Sequence, residues 1–199
     1  RCARLAHREV VITVDPDIAA RLNQLVSPKR YLHCTRVAEF AVKLARKWGL
    51  DEDCARRAGL LHDVRREETE PWPDLAAREG IALPDWARGD WTLLHGPLGA
   101  KLAGREFPLP RPWLDGIANH SWCRAGATPE ELTIYIADHA CEGRRYPNVE
   151  RYRDLAFKSL EQSAQLILTD LLRHLLEDNA PLWPPAVEAR NSLVLRWRG

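Results

Sequence analysis

Apolar residues recur three and four apart along most of this chain, the repeat expected of helices with one inward face. The clearest stripe runs over 29–48. Val37, Phe40, Ala41, Leu44, Ala45 and Trp48 share one side, and His33 lies one turn earlier on that side. Gly49 ends the segment. A second helix is predicted from Asp51 to about residue 62, with Cys54, Ala55, Ala58 and Leu61/His62 turned inward; its acidic first turn suits the positive end of the helix dipole. Upstream, Asp15 as N-cap and Pro16 in the first turn predict a helix to Leu25, broken by Ser27-Pro28. The β-branched run 10–14 reads as a short extended segment. Downstream, the charged, proline-marked stretch 64–73 reads as a surface loop before a short helix over 74–79. Helices follow over 91–107, with Pro97 placing a start or kink beside His95, and over 113–120. Another opens at Thr128-Pro129-Glu130-Glu131, with a threonine cap, proline at the first position and glutamate at the third, and runs past Asp138-His139. A long helix over 149–176 and a terminal one over 186–197 complete an all-α bundle of roughly seven to nine helices.

Composition narrows the class. At 199 residues, 45% hydrophobic and 29% charged, the chain has the balance of an ordinary globular protein with a substantial core. One domain is expected over 29–199, with 1–28 packed on it or leading into it. A net charge of +1 gives no overall field to draw nucleic acid or a membrane surface, and neither partner is expected. No apolar run approaches the ~20 residues of a membrane helix. The five cysteines (Cys2, Cys34, Cys54, Cys123, Cys141) are odd in number and form no CxxC pair. Reduced thiols and a cytoplasmic location follow as expectations, and no signal-peptide pattern occupies the opening residues.

The candidate chemistry centres on Ala58-Gly59-Leu60-Leu61-His62-Asp63. Neighbouring side chains on a regular helix point about 100° apart, but at a frayed end an imidazole and a carboxylate can converge on one ion. His33, His95, His120 and Asp138 occupy helical positions around this pair in the sequence. Each alone has a plain structural reading: a core histidine, a turn residue, a helix end. Asp138 is harder to dismiss, because it interrupts the apolar run Ile134-Tyr135-Ile136-Ala137, where an unpaired carboxylate is costly and a cation partner economical. Histidine and carboxylate together suit iron, manganese, cobalt or zinc. Such an ion lowers the pKa of its water, neutralises phosphate charge and orients in-line attack. His139 is expected to face away from Asp138, and His7 and His174 sit in surface-like contexts.

The same residues carry a family resemblance. The chain resembles the HD-superfamily metal-dependent phosphohydrolases, single-domain helical bundles whose signature is His…His-Asp…Asp. Within them it is similar to the bacterial symmetrical diadenosine tetraphosphate hydrolases of the YqeK type. The matching stretches are Arg30 to Ala38, Gly59 to Asp63, Leu94 to Ala100, Ile117 to His120, Tyr135 to Asp138, Glu142 to Val149 and Val187 to Asn191. The resemblance implies a metal held by His33, His62, Asp63 and Asp138. It implies that His95 and His120 line the phosphate site or help hold a second ion, and that Asp63, His95 and His120 take part in catalysis. Arg30 and Arg144 would bind phosphate together with Asp63, His95 and His120, and Arg66 would join them. The implied cofactor is one or two divalent ions, iron first, with manganese or cobalt able to substitute. The implied reaction splits diadenosine tetraphosphate into two ADP, and a homodimer is left open.

Three departures bear on substrate choice. Asp63-Val64-Arg65-Arg66 has arginine where the family has a lysine, so a planar fork could replace a point charge. His120-Ser121-Trp122-Cys123-Arg124-Ala125-Gly126 is bulkier than the usual Thr-Thr-Gly. His139-Ala140-Cys141-Glu142-Gly143-Arg144 replaces Tyr-Ile-Glu-Pro-Gly-Arg. Two alternatives therefore stand beside the leading reading: an HD phosphohydrolase acting on another nucleotide, and a catalytically silent nucleotide-binding regulatory module.

Overall fold

The computed structural model of the chain describes residues 15–196; the extended segment expected over 10–14, Cys2 and His7 lie outside them. The described residues form ten α-helices and two 3₁₀ turns, with no strand among them. The first three helices follow their local signals. Asp15 caps α1 (Pro16–Leu25), Ser27 caps α2 (Pro28–Trp48), and Asp51 caps α3 (Glu52–Leu61), each side chain accepting from a first-turn amide. Gly49 closes α2 in the left-handed conformation, at φ +69°. Ile18 and Leu22 of α1 are fully buried, so this helix belongs to the main core.

The short helix after the charged loop is α4 (Trp72–Arg78), starting two residues before its expected position. The segment expected as one helix over 91–107 is instead a 3₁₀ turn (Trp91–Leu94) followed by α5 (His95–Glu106). Pro97 explains the break: it is the third residue of α5, where a missing amide hydrogen costs no helical bond. Then come α6 (Arg111–Asn119) and α7 (Pro129–Ala140), the latter opened by a reciprocal capping box between Thr128 and Glu131.

The long helix expected over 149–176 is two helices, α8 (Val149–Ala156) and α9 (Leu160–Glu177). Ser159 starts the second by accepting from the Gln162 amide. Both helices bury a face in the same core, so the apolar periodicity runs through the break and hides it. The added helix raises the number above the roughly seven to nine expected from periodicity. A last helix, α10 (Pro184–Arg196), packs on α9.

Two glycines set the spacing that matters for the site. At Gly59 on α3, a β-carbon would sit 2.6 Å from Ala38 Cα on α2. At Gly96 on α5, it would sit 2.7 Å from the Ala118 carbonyl oxygen on α6. Only glycine permits either approach. The first brings the His33 and His62 ends of their helices together, and the second brings His95 to His120. The core around them is continuous, with α7 at its centre: Leu132, Ile134, Tyr135, Ile136 and Ala137 are all buried. No helix among the described residues is long and apolar enough to cross a membrane.

Candidate metal centre

The helices deliver six side chains to one place. His33 comes from α2. His62 is the C-terminal cap of α3, and Asp63 is the first residue of the turn beyond it. His95 opens α5, His120 caps the end of α6, and Asp138 lies near the end of α7. One ligand atom from each of His33, His62 and Asp138 lies within 4.8 Å of the other two, and the same holds for His62, Asp63 and His120. His62 belongs to both groups and joins them. Its ring meets His33 and His120 edge to face, at centroid distances of 5.2 and 4.9 Å.

Ring orientation follows from the helix ends. The last carbonyls of a helix lack intrahelical partners. His62 Nδ1 lies 2.8 Å from the Gly59 oxygen, and His120 Nδ1 lies 2.8 Å from the Ile117 oxygen. His95 repeats the pattern against Thr92, at 2.6 Å. In each case Nδ1 carries the hydrogen and donates it, which leaves Nε2 as a lone pair in the neutral ring. His95 Nε2 and His120 Nε2 face each other at 2.9 Å, with Asp63 Oδ1 3.1 Å from the first and 3.5 Å from the second. Two opposed lone pairs and a carboxylate oxygen repel unless a cation or proton lies among them. His62 Nε2 is buried without a hydrogen-bond partner, and its nearest carboxylate oxygens are at 3.4 Å (Asp63) and 3.7 Å (Asp138). This donor set fits a divalent metal ion.

The electrostatics fit a cluster that attracts positive charge. Burial would raise the Asp63 carboxyl, but His62, His120 and His95 hold it well below the usual carboxylate range. Burial opposes ionisation of Asp138 too, and the neighbouring His33 and His62 rings with the charge of Arg144 push it well below that range. Burial lowers His95 and, against the pull of Asp138, His33. Burial also disfavours the His62 imidazolium, yet the two carboxylates overcome it and lift its pKa to about 10. A divalent ion held by this cluster would take the place of that proton.

Three arginines rim the cluster. Arg30 donates to Asp63 Oδ2 at 2.6 Å, with its Nε 3.7 Å from Glu67. Arg144 donates to the Asp138 carboxylate and, at 2.7 Å, to the Asp138 carbonyl. Arg66, the site-facing member of the Arg65-Arg66 pair, donates to Thr92 Oγ1 at 3.2 Å and to the Thr92 carbonyl. It also comes within 3.2 Å of His95 Nδ1, but that nitrogen already donates to Thr92, so this contact is not a hydrogen bond. Arg65 turns away to Glu68.

The departures resolve into two kinds. In the 121–126 segment only Ser121 reaches the cluster, its Oγ 3.4 Å from His95 Nε2. Trp122 is buried against Trp86 at a centroid distance of 5.1 Å, and Arg124 forms a two-bond pair with buried Glu131. The bulk of this loop is therefore packed into the fold. Cys141 does touch the site: its Sγ lies 4.0 Å from His33 Nδ1 and 3.8 Å from the Asp138 carbonyl. Burial pushes the thiol pKa up to about 11. Cys34, Cys54, Cys123 and Cys141 are all free thiols.

Sequence reasoning did not single out Glu67, which accepts from the Ser27 amide and hydroxyl at 2.6 and 2.9 Å and ties the 62–67 turn to the start of α2. It also gave no role to Tyr146, whose ring lies 5.8 Å from the Arg144 guanidinium carbon. No periodic signal marks either residue; only its neighbour in space does. His139, as expected, points away from the cluster and bonds the Tyr135 carbonyl. His174 pairs at the surface with Asp178.

Comparison with known proteins gives this geometry a family. The family model described as "HD domain" matches residues 30–141. A protein of Bacillus subtilis (strain 168) named "Bis(5'-nucleosyl)-tetraphosphatase, symmetrical" is 31% identical over 179 residues, covering 88% of this chain and 95% of its own length. One of the same name from Staphylococcus aureus (strain NCTC 8325 / PS 47) is 29% identical over 166 residues, covering 82% and 86%. The crystal structure of a "predicted HD superfamily hydrolase involved in NAD metabolism" from Clostridium acetobutylicum superposes with a TM-score of 0.86 at 30% identity, covering 90% of this chain and 96% of that one. An all-α bundle that gathers His33, His62-Asp63 and Asp138 at one point, in a chain matched over most of its length by such relatives, belongs to the HD domain family, among its phosphohydrolases.

Proposed function

We propose that this protein is a metal-dependent hydrolase of dinucleoside polyphosphates that cleaves diadenosine tetraphosphate symmetrically. The observation that carries the reading is the convergence of imidazole Nε2 atoms on two carboxylates in one buried cluster, with His62 Nε2 lacking a hydrogen-bond partner among them. Relatives of similar length named as symmetrical tetraphosphatases supply the substrate. In this reading His33, His62, Asp63 and Asp138 hold a divalent ion, iron in the first instance with manganese or cobalt as substitutes, and His95 and His120 hold phosphate or a second ion. A bound ion there supplies Lewis acidity and neutralises phosphate charge.

The remaining chemistry belongs to the chain. Arg30, Arg66 and Arg144 present forked donors at the rim and take the phosphate oxygens. Asp63, nearly fully buried and flanked by His62, His95 and His120, holds these rings in register. Where phosphate and no second ion occupies the pair, a proton shared between the opposed Nε2 atoms of His95 and His120 passes to the oxygen of the departing ADP. The balance is one water added at a central phosphorus, one phosphorus–oxygen bond broken at the middle bridge, and two ADP released. The active unit is residues 29–199 with 1–28 attached to it, in a cytoplasmic protein whose partner is a nucleotide.

The test is product analysis. Protein loaded anaerobically with ferrous iron, or with manganese or cobalt, is given diadenosine tetraphosphate and the nucleotides are separated over time. ADP alone, abolished by Asp63→Ala, is the expected result. AMP plus ATP overturns the symmetrical assignment. Absence of turnover on any nucleotide by protein that holds its metal favours the silent regulatory module.

A further inference from the structure

A cavity of about 630 Å³ opens beside the outer edge of the cluster. Its wall meets the rim of the metal centre through Tyr146. His139 lines it from α7, with its ring turned away from the cluster. Tyr146 lines it as well, and the Arg144 guanidinium that holds Asp138 lies over the ring of that tyrosine.

The lining has a defined chemistry. Tyr146 is 41% exposed, a large aromatic face offered to solvent. Ile167 and Leu171 of α9 supply apolar surface opposite. Two carboxylates line it: Glu177 is exposed, and Asp170 is already engaged, its Oδ2 accepting from Asn148 at 2.7 Å and Tyr152 at 2.8 Å and its Oδ1 from Arg173 at 2.6 Å. Asp170 therefore braces the wall and pairs with Arg173. His139 Nδ1 donates to the Tyr135 carbonyl at 2.9 Å, so its Nε2 is an acceptor, and no described residue bonds it. An aromatic face, an apolar floor and an unused ring-nitrogen acceptor suit a planar heteroaromatic group that carries N–H donors. Cavities of ~300–1,000 Å³ are the size that holds such ligands.

We propose that this cavity is a nucleobase pocket of the substrate site, in which an amino-purine ring stacks on Tyr146 and donates a hydrogen bond to His139 Nε2. The inference rests on the reading that the substrate's phosphates lie on the histidine–arginine cluster. Arg144 is the hinge between the two: one edge meets the cluster and its face meets the ring.

The test separates base from phosphate. Equilibrium binding of ADP and of inorganic pyrophosphate is measured on the metal-loaded protein, for wild type, Tyr146→Ala and Tyr146→Phe. Base–aromatic stacking is worth ~1–3 kcal/mol, so Tyr146→Ala is expected to weaken ADP about tenfold or more. Pyrophosphate affinity is expected to stay as in wild type, and Tyr146→Phe to bind ADP as wild type does. Equal losses for ADP and pyrophosphate would overturn the pocket, because the ring would then only be positioning Arg144. Unchanged ADP binding in Tyr146→Ala, or no ADP binding by wild type, would overturn it as well. A Tyr146-dependent ADP site in a protein that does not cleave diadenosine tetraphosphate would keep the pocket and sink the substrate assignment instead.

Discussion

The two halves of the cluster are held by different means. In the inner half His62, Asp63, His95 and His120 are each 4% exposed or less, and every ring has its tautomer set by a carbonyl three residues earlier, at a helix end or in a turn. In the outer half the side chains of His33 and Asp138 are 16% and 14% exposed, and Arg144 holds the carboxylate. His33 sits inside α2, where the backbone carbonyls serve the helix, so its Nδ1 finds only the weak acceptor Cys141 Sγ. The comparison teaches that helix ends give imidazoles a fixed orientation from the backbone alone. A histidine in the body of a helix must borrow its orientation from another element. The inner half is preorganised, and the outer half is the side open to substrate.

Breaking the inner half should have the largest effect. His62→Ala or Asp63→Ala is expected to drop bound metal below one ion per chain by elemental analysis, and to lower turnover by at least ~10³-fold. The outer half should respond more gently. Arg144→Ala removes charge-assisted hydrogen bonds worth ~1.5–3 kcal/mol each, so kcat/KM for a dinucleoside polyphosphate is expected to fall roughly 10- to 100-fold while metal is retained. Arg144→Lys should recover only part of this, since a point charge cannot reproduce the fork.

Cys141 sharpens the comparison. Replacing a partner behind a metal-binding histidine costs ~10–100-fold in affinity. With a weak thiol as the starting point, Cys141→Ala is expected at the low end, about tenfold in a metal-competition titration. Cys141→Ser, with a better acceptor, should match or exceed wild type. Gly59→Ala tests the helix contact that joins the halves. Its new carbon would meet Ala38 backbone, and a loss of ~1–3 kcal/mol in chemical denaturation is expected, with weaker metal binding.

The smallest effect should come from a helix start remote from the chemistry. Asp51→Ala removes the α3 cap and is expected to cost about 1 kcal/mol of stability with turnover unchanged. The Asp51 carboxyl is held below its ordinary value chiefly by the Cys54 amide. Its contribution is therefore full above the unfolded pKa of ~3.9 and fades as pH falls through the lower folded value. Thermal melts of wild type and variant should converge below about pH 4.

Much of the fold could be read from local signals. The caps at Asp15 and Thr128, the break at Ser27-Pro28, the acidic start at Asp51, the stop at Gly49 and the apolar stripes each act over a few residues, and the helices they mark are present. The break at Ser159 escaped because two consecutive helices bury the same face, so the period continues while the backbone does not. His33, His62, Asp63, His95, His120 and Asp138 could be nominated by residue type and the family pattern. Which nitrogen each ring presents, how close the rings stand, and that Glu67, Cys141 and Tyr146 attend them could not.

The amino-acid sequence by itself determined the helices and the residues able to bind an ion, because capping, periodicity and donor chemistry are short-range properties. Only the tertiary structure decided that Gly59 and Gly96 let pairs of helices approach closely enough to face lone pairs at one another. It also decided that Tyr146, beneath Arg144, faces a cavity. Both depend on which backbones meet, and that is a property of packing between segments distant in the chain.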